Sequence, residues 1–164
     1  AAIEWMRAVG RAIDRGFAIT IDYGHPAEEL YGPHRPRGTL FAYTGHRTSE
    51  AFYDRIGRQD LTAHVDFTTL ARAGREAGLE PAGFTDQTSF LLGLGAAQAA
   101  DAHLAAIDND AERDREVRAI AALLDPQGMG RTFKVLIQRK GLPPHPLRGL
   151  SVSSMAHLLE GHGH

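Results

Sequence analysis

The chain has 164 residues, with 18 Lys and Arg against 20 Asp and Glu, 9 histidines and no cysteine. That length suits one domain, and a formal charge of -2 offers no basic excess to a phosphate backbone, which argues against nucleic acid as the main partner. Without cysteine there is no disulfide, thiolate zinc site or cysteine nucleophile, and no apolar run reaches the roughly 18 residues of a membrane span.

In chain order, the spacing of Ile3, Met6, Gly10 and Ile13 predicts an amphipathic helix, with Gly16 just past its end. Phe17-Ala18-Ile19-Thr20-Ile21 reads as a strand buried on both faces, as in a parallel sheet. Asp22-Tyr23-Gly24-His25-Pro26 stops it through polarity, Gly and Pro. Residues 25–59 read as a long connection, Pro/Gly-rich and basic from Tyr31 to Gly38, with a brief strand over Thr39–Tyr43. Asp66 is placed to cap a helix that buries Phe67, Leu70, Ala71 and Ala77 and closes at Gly78.

A second strand follows over Leu79–Phe84, weakened by Pro81 and Gly83. Thr88 or Ser89 is the candidate cap of the next helix, whose apolar positions are Phe90, Leu91, Leu94 and Ala97. Asn109 with Glu112 resembles a capping box before a helix carrying Val117, Ile120, Ala121 and Leu124, which Asp125-Pro126 ends. Gly128-Met129-Gly130 turns the chain into a third strand, Thr132–Ile137. Residues 1–140 thus form the domain, and 141–164 a poorly ordered Pro- and His-containing tail with one helical pattern around Met155–Leu159.

This order is an α/β pattern. Three strands make a thin sheet for so apolar a first strand, and an edge position would leave the backbone of Phe17–Ile21 open for pairing. The simplest repair is that further strands precede residue 1, in keeping with a start at Ala1-Ala2-Ile3 that has neither an initiator Met nor a targeting segment.

Ligands of open α/β sheets bind beyond the carboxyl ends of strands, which singles out Asp22, Tyr23, Gly24 and His25. Asp60-Leu61-Thr62-Ala63-His64-Val65-Asp66-Phe67 is a second cluster of chemistry-bearing residues. With His25 it could furnish a His/Asp metal hydrolase, but no H-E-x-x-H or comparable spacing occurs, and Asp66 is already explained as a cap. Gly93-Leu94-Gly95 imitates a nucleotide loop without a preceding strand or final Gly, and is read as a close-packing helix surface. Ser153, Ser154 and His157 lack a nucleophile elbow. The tail histidines His145, His157, His162 and His164 read as composition, and Arg35-Pro36-Arg37 as a solvated loop.

Taken together, Gly16 to Gly24, Gly38-Thr39-Leu40 with His46, Asp60 to Phe67, Gly78-Leu79, Thr85-Asp86-Gln87, Phe90 to Gly95 and Leu124 to Leu136 form one ordered series. Over roughly residues 1–140 the series resembles the C-terminal part of the MidA family of class I S-adenosylmethionine-dependent methyltransferases, which includes a mitochondrial complex I assembly factor that is a protein-arginine methyltransferase. The resemblance implies a Rossmann-like sheet in which Phe17–Ile21 is strand five, Leu79–Phe84 strand six and Phe133–Ile137 the antiparallel strand seven, with flanking helices. It implies S-adenosylmethionine as cofactor, held mainly by a glycine-rich loop upstream of residue 1, and a protein substrate methylated on arginine. Asp22, Tyr23, Gly24 and His25 would border the substrate cleft, with His46, Asp60, Thr62 and His64 lining or covering it. No catalytic base is assigned. The missing N-terminal half would then be a partner of this chain, and the cytoplasm its default location. The alternative is a non-catalytic interaction module that pairs through the open strand edge, with another protein or as a homodimer.

Overall fold

In a computed structural model the described residues are 1–45 and 47–160. Helix α1 (Ala2–Ala12) leads into strand β1 (Gly16–His25), and a short helix α2 (Ala27–Leu30) follows. Strands β2 (Phe41–Thr44), β3 (Arg47–Ser49), β4 (Asp60–Thr62) and β5 (Val65–Asp66) precede helix α3 (Phe67–Glu76). Strand β6 (Glu80–Asp86) is followed by helices α4 (Gln87–Leu94), α5 (Ala96–Ala105), α6 (Asp110–Leu124) and α7 (Met129–Thr132), then strand β7 (Phe133–Lys140). Two 3-10 turns, Arg148–Leu150 and Ala156–Leu159, complete the described residues.

The main sheet has the order β5-β1-β7-β6, and a second sheet has the order β3-β2-β4. Strand β7 is antiparallel to both its neighbours, pairing Ile19 with Ile137 and Phe84 with Leu136. Only the last two residues of β1 have a partner on the other side: Gly24 and His25 pair in parallel with Val65 and Asp66. Among the described residues, therefore, the outer edge of β1 from Gly16 to Tyr23 is free.

The two faces of this sheet differ. Helices α1 and α3 cover one of them, and Met6, Ala18, Phe67, Leu70, Leu79, Phe84 and Leu136 form its core. Each large apolar side chain buried there contributes about 1.5–3 kcal/mol. The helices approach closely because Gly10 has no side chain: a Cβ there would lie 2.5 Å from that of Ala77. Buried Gln138 ties sheet to helix, its Nε2 donating to the carbonyl of Ala71 in α3 at 3.4 Å and to that of Leu79 at 3.1 Å. On the opposite face, α4 and the turn at 148–150 cover β6 and β7, with Leu150 against Gly83 and Phe90 against Gly149. They do not reach β1. Phe17, Ile19 and Ile21 are 40%, 54% and 51% exposed.

That exposure corrects the expectation of a first strand buried on both faces. The strand also runs past Asp22 to His25, because β7 continues the ladder to Tyr23 and β5 takes up Gly24 and His25. Gly16 opens the strand, at φ 149, instead of closing the helix. The long connection is a folded three-stranded sheet plus α2. Asp66 caps α3 as expected, accepting from Thr69 N at 2.9 Å, whereas Asp86, and neither Thr88 nor Ser89, caps α4. Gly95, left-handed at φ 94, divides the following helix in two. Residues 129–132 form a helical turn. The expected tail packs back on the domain up to residue 160, with Leu159 in the core and Met155 N donating to the carbonyl of Phe84 at 2.7 Å. His162 and His164 lie outside the described residues.

Candidate functional site

Along β1, side chains alternate between faces, so Tyr23 continues the row of Phe17, Ile19 and Ile21 to the strand's carboxyl end. There it opens into a cavity of about 550 Å³ lined by Tyr23, Tyr43, Gly45, Asp60, Thr62, His64, Thr132 and Phe133. The small sheet forms one wall through Tyr43 of β2 and Asp60 and Thr62 of β4. The main sheet forms the other through Tyr23 and Phe133, which are register partners and meet edge to face at 6.0 Å. His64 lies between β4 and β5, its ring edge-on to Tyr23 at 5.6 Å. Its backbone is fixed from the other side, the N–H donating to Thr39 Oγ1 at 3.1 Å.

Behind this wall is a polar cluster. The His25 and His64 rings are 5.1 Å apart. Glu29 of α2 places Oε1 2.7 Å from His25 Nδ1 and 3.2 Å from an Arg35 guanidinium nitrogen, so one carboxylate joins both. Burial pushes His25 below its ordinary pKa; Glu29 opposes this, while Arg35 and Lys134 add to it. His64 is lowered first by burial and then by the charges of Arg35 and Lys134. Burial alone would raise Glu29, but His25, Lys134 and Arg35 outweigh it and hold the carboxyl down. Lys134 is buried and lowered mainly by that burial, and its Nζ donates to the carbonyl of Arg131. The surroundings thus favour the neutral form of both imidazoles, with Arg35 and Lys134 nearby and the Glu29 carboxylate joining His25 to Arg35.

The structure therefore brings Tyr23, Asp60, Thr62 and His64 to one cavity. His25 stands one layer behind. Gly24 is buried against the backbone of Val65, where a Cβ would lie 2.7 Å from the Val65 nitrogen, so it sets the β1–β5 approach. Asp22 does not line the cavity; it accepts from Tyr23 N at 2.8 Å and turns its carboxylate to its own backbone. His46 lies outside the described residues. Sequence reasoning missed Tyr43, Thr132 and Phe133 in the lining and Glu29, Arg35 and Lys134 behind it. A signal existed for three of these: Thr132, Phe133 and Lys134 open the third strand expected from the sequence, which the antiparallel register brings to the same sheet end. Among the described residues no three His, Asp or Glu side chains converge as a metal site, and no helix is long and apolar enough to cross a membrane. Gly93-Leu94-Gly95 sits at the end of α4, where a Cβ on Gly93 would lie 2.5 Å from the Arg148 carbonyl oxygen, a packing contact.

A mixed sheet with helices on both sides and a cavity at the carboxyl end of a strand is the arrangement of an α/β ligand-binding domain. Residues 1–85 match a family described as "Putative S-adenosyl-L-methionine-dependent methyltransferase", and the chain belongs to that family. Two solved structures from Burkholderia thailandensis are similar over 96% of this chain. One is an uncharacterized ACR superfamily protein, 34% identical with a TM-score of 0.86. The other, 35% identical with a TM-score of 0.85, is a superfamily member described as a "likely methyl transferase" bound to S-adenosyl-homocysteine. The chain spans 41% and 40% of the lengths of these two proteins. Comparison with curated proteins gives no match.

Proposed function

We propose that this chain is the C-terminal part of a MidA-type class I methyltransferase that transfers a methyl group from S-adenosylmethionine to a protein side chain, with arginine as the favoured acceptor. In this reading β1, β6 and β7 are strands five, six and seven of the Rossmann-like sheet, an order with which β1-β7-β6 agrees. The free edge of β1 and the exposed row of Phe17, Ile19 and Ile21 are then where the N-terminal part of the same domain seats. That edge is the single observation that carries the reading, because an apolar strand with unpaired backbone groups is normally covered. The cytoplasm is the proposed compartment.

The described residues fit the cofactor only in part. Adenosine and the methionine chain need a strand–glycine loop–helix cradle, and among the described residues the G-x-G segments are committed elsewhere: Gly93 and Gly95 to helix packing and a helix break, Gly128 and Gly130 to the start of α7 and its packing on Asp125. The carboxyl end of β1 supplies a neighbouring wall for the acceptor instead. When bound, the cofactor would supply the electrophilic methyl group; what this chain's residues do is hold the acceptor. Tyr23, Tyr43 and Phe133 offer aromatic surface and Asp60 a carboxylate, a combination that suits a guanidinium, which aromatic faces and carboxylates both attract.

Isothermal calorimetry on the 164-residue chain tests the division of labour: it should bind S-adenosylmethionine weakly or not at all, and micromolar affinity would contradict the proposal. The free edge also favours a second reading, a non-catalytic module that pairs through β1 with another protein or a second copy. Sedimentation decides between them: a tight dimer abolished by Ile19→Lys supports the module, and a monomer supports the methyltransferase reading.

A further inference from the structure

We infer that the aromatic cavity binds a cationic group, guanidinium or ammonium, more tightly while His64 is uncharged, so that His64 is a specificity-determining residue that couples ligand binding to pH. Its place in catalysis rests on the acceptor reading above; its binding behaviour rests on the cavity alone. Among the described residues of the lining, Asp60 alone carries a formal charge when the imidazole is neutral. A cation entering there is drawn to Asp60 and to the faces of Tyr23, Tyr43 and Phe133. His64 shares that wall, its ring 5.6 Å from that of Tyr23. An imidazolium at this position would occupy the same aromatic surface and repel the ligand at close range.

The surroundings decide which form His64 takes. Tyr23 and His25 face it from β1, Glu29 from α2, Arg35 from the turn beyond α2, Asp60 from the end of the small sheet, and Lys134 from β7. Of the carboxylates behind the wall, Glu29 is engaged by His25 and Arg35, Asp66 by Thr69 and Tyr31, and Asp86, near Lys134, as the cap of α4. An imidazolium is left with Asp60, the carboxylate that an entering cation also needs. His64 Nδ1 is buried without a hydrogen-bond partner, so no acceptor stands ready for the proton that charging adds. The cluster thus keeps His64 neutral at pH 7 and makes a proton on it compete with a cation in the cavity. Linkage requires the reverse as well: a bound cation must lower the His64 midpoint.

The test is an NMR titration of the histidine Cε1 resonances of the 164-residue chain, between about pH 5 and 8, with and without saturating methylguanidinium. The His64 midpoint is expected to fall by about one unit, equivalent to roughly tenfold weaker binding to the protonated form. His64→Asn should lose the decline in affinity on acidification from about pH 8 to 5, whatever its affinity at pH 8; His64→Gln serves as the second variant, and thermal melts report whether each is folded. An unmoved midpoint overturns the inference, as does an equal shift with uncharged N-methylurea, or a decline that survives in both folded variants. If both variants unfold, the wild-type titration decides. Methylation of an uncharged acceptor by the longer enzyme would instead sink the arginine reading, and the titration would still judge the role of His64.

Discussion

The two faces of the main sheet are built from similar residues and meet opposite fates. Under α1 and α3, Phe84, Leu136 and Ala18 are closed off by Met6, Phe67 and Leu70. Across the same strands, Val135 and Ile137 are buried by α4 and the 148–150 turn, yet the adjoining Ile19 and Ile21 stay half exposed. Side-chain chemistry does not distinguish them. The difference is supply: the chain has helices for one full face and for half of the other. One face is a closed core, and the other is covered over β6 and β7 but open over β1, where the proposed N-terminal part would seat, with the candidate cavity at the carboxyl end.

The largest expected effect lies on the closed face. Phe84→Ala should cost about 3–5 kcal/mol in a chemical denaturation of the 164-residue chain, because the ring is fully buried against Phe67 at 5.2 Å. A loss comparable to that of an exposed residue would break the contrast. Next comes the β1–β5 junction: Gly24→Ala forces a methyl into the Val65 backbone and should cost about 1–3 kcal/mol, read as a lowered melting temperature. Asp66→Ala removes the cap of α3 and its bond to Thr69, worth about 1 kcal/mol.

Acidification should act in the same direction with a characteristic window. His25 and His64 have folded-state pKa values below the ordinary 6.5. The unfolded chain therefore binds more protons between the two values, and stability falls as pH drops through about 6.5 and on to the lower folded values. Glu29, held below its ordinary 4.5, adds its loss only at more acid pH, as its own lowered pKa is passed. A melting temperature flat from about pH 7 to 5 in wild type, or unchanged in slope in a His25→Asn, His64→Asn double variant, would contradict this. The smallest effect belongs to the open face: Ile19→Lys should change the stability of the isolated chain by no more than about 0.5 kcal/mol. If the proposed longer enzyme covers this face, the same change there buries a lysine and costs several-fold more.

How legible this was varies with how local the cause is. Asp66 and Asn109 could be read as caps because a cap needs only the three residues that follow. The helix face of Met6 and Gly10 was equally plain from spacing. Asp86 was not, since it is the last residue of β6 before it is the cap of α4, and Thr88 and Ser89 offered nearer candidates. Strand β1 was cut short at Asp22 because a polar residue, a glycine and a proline look like a stop; its extension depends on partners some 40 and 110 residues further on, in Val65 and Phe133.

The cavity divides in the same way. Tyr23 and His64 followed from the strand-end rule and from motif order. Tyr43, Thr132 and Phe133 depend on how the small sheet docks and on antiparallel register, neither of which a local pattern encodes. The Glu29–His25–Arg35 cluster hid in a stretch read as loop because a four-residue helix leaves almost no periodic signal.

Amide hydrogen exchange along β1 is the most direct examination of the central claim, that its outer edge is an interface awaiting the rest of a methyltransferase domain. The amides from Gly16 to Tyr23 that point away from β7 should exchange rapidly in the monomeric 164-residue chain and become strongly protected when the same residues are part of the longer enzyme. Equal protection in both would mean that the edge is already satisfied, and the account would fail.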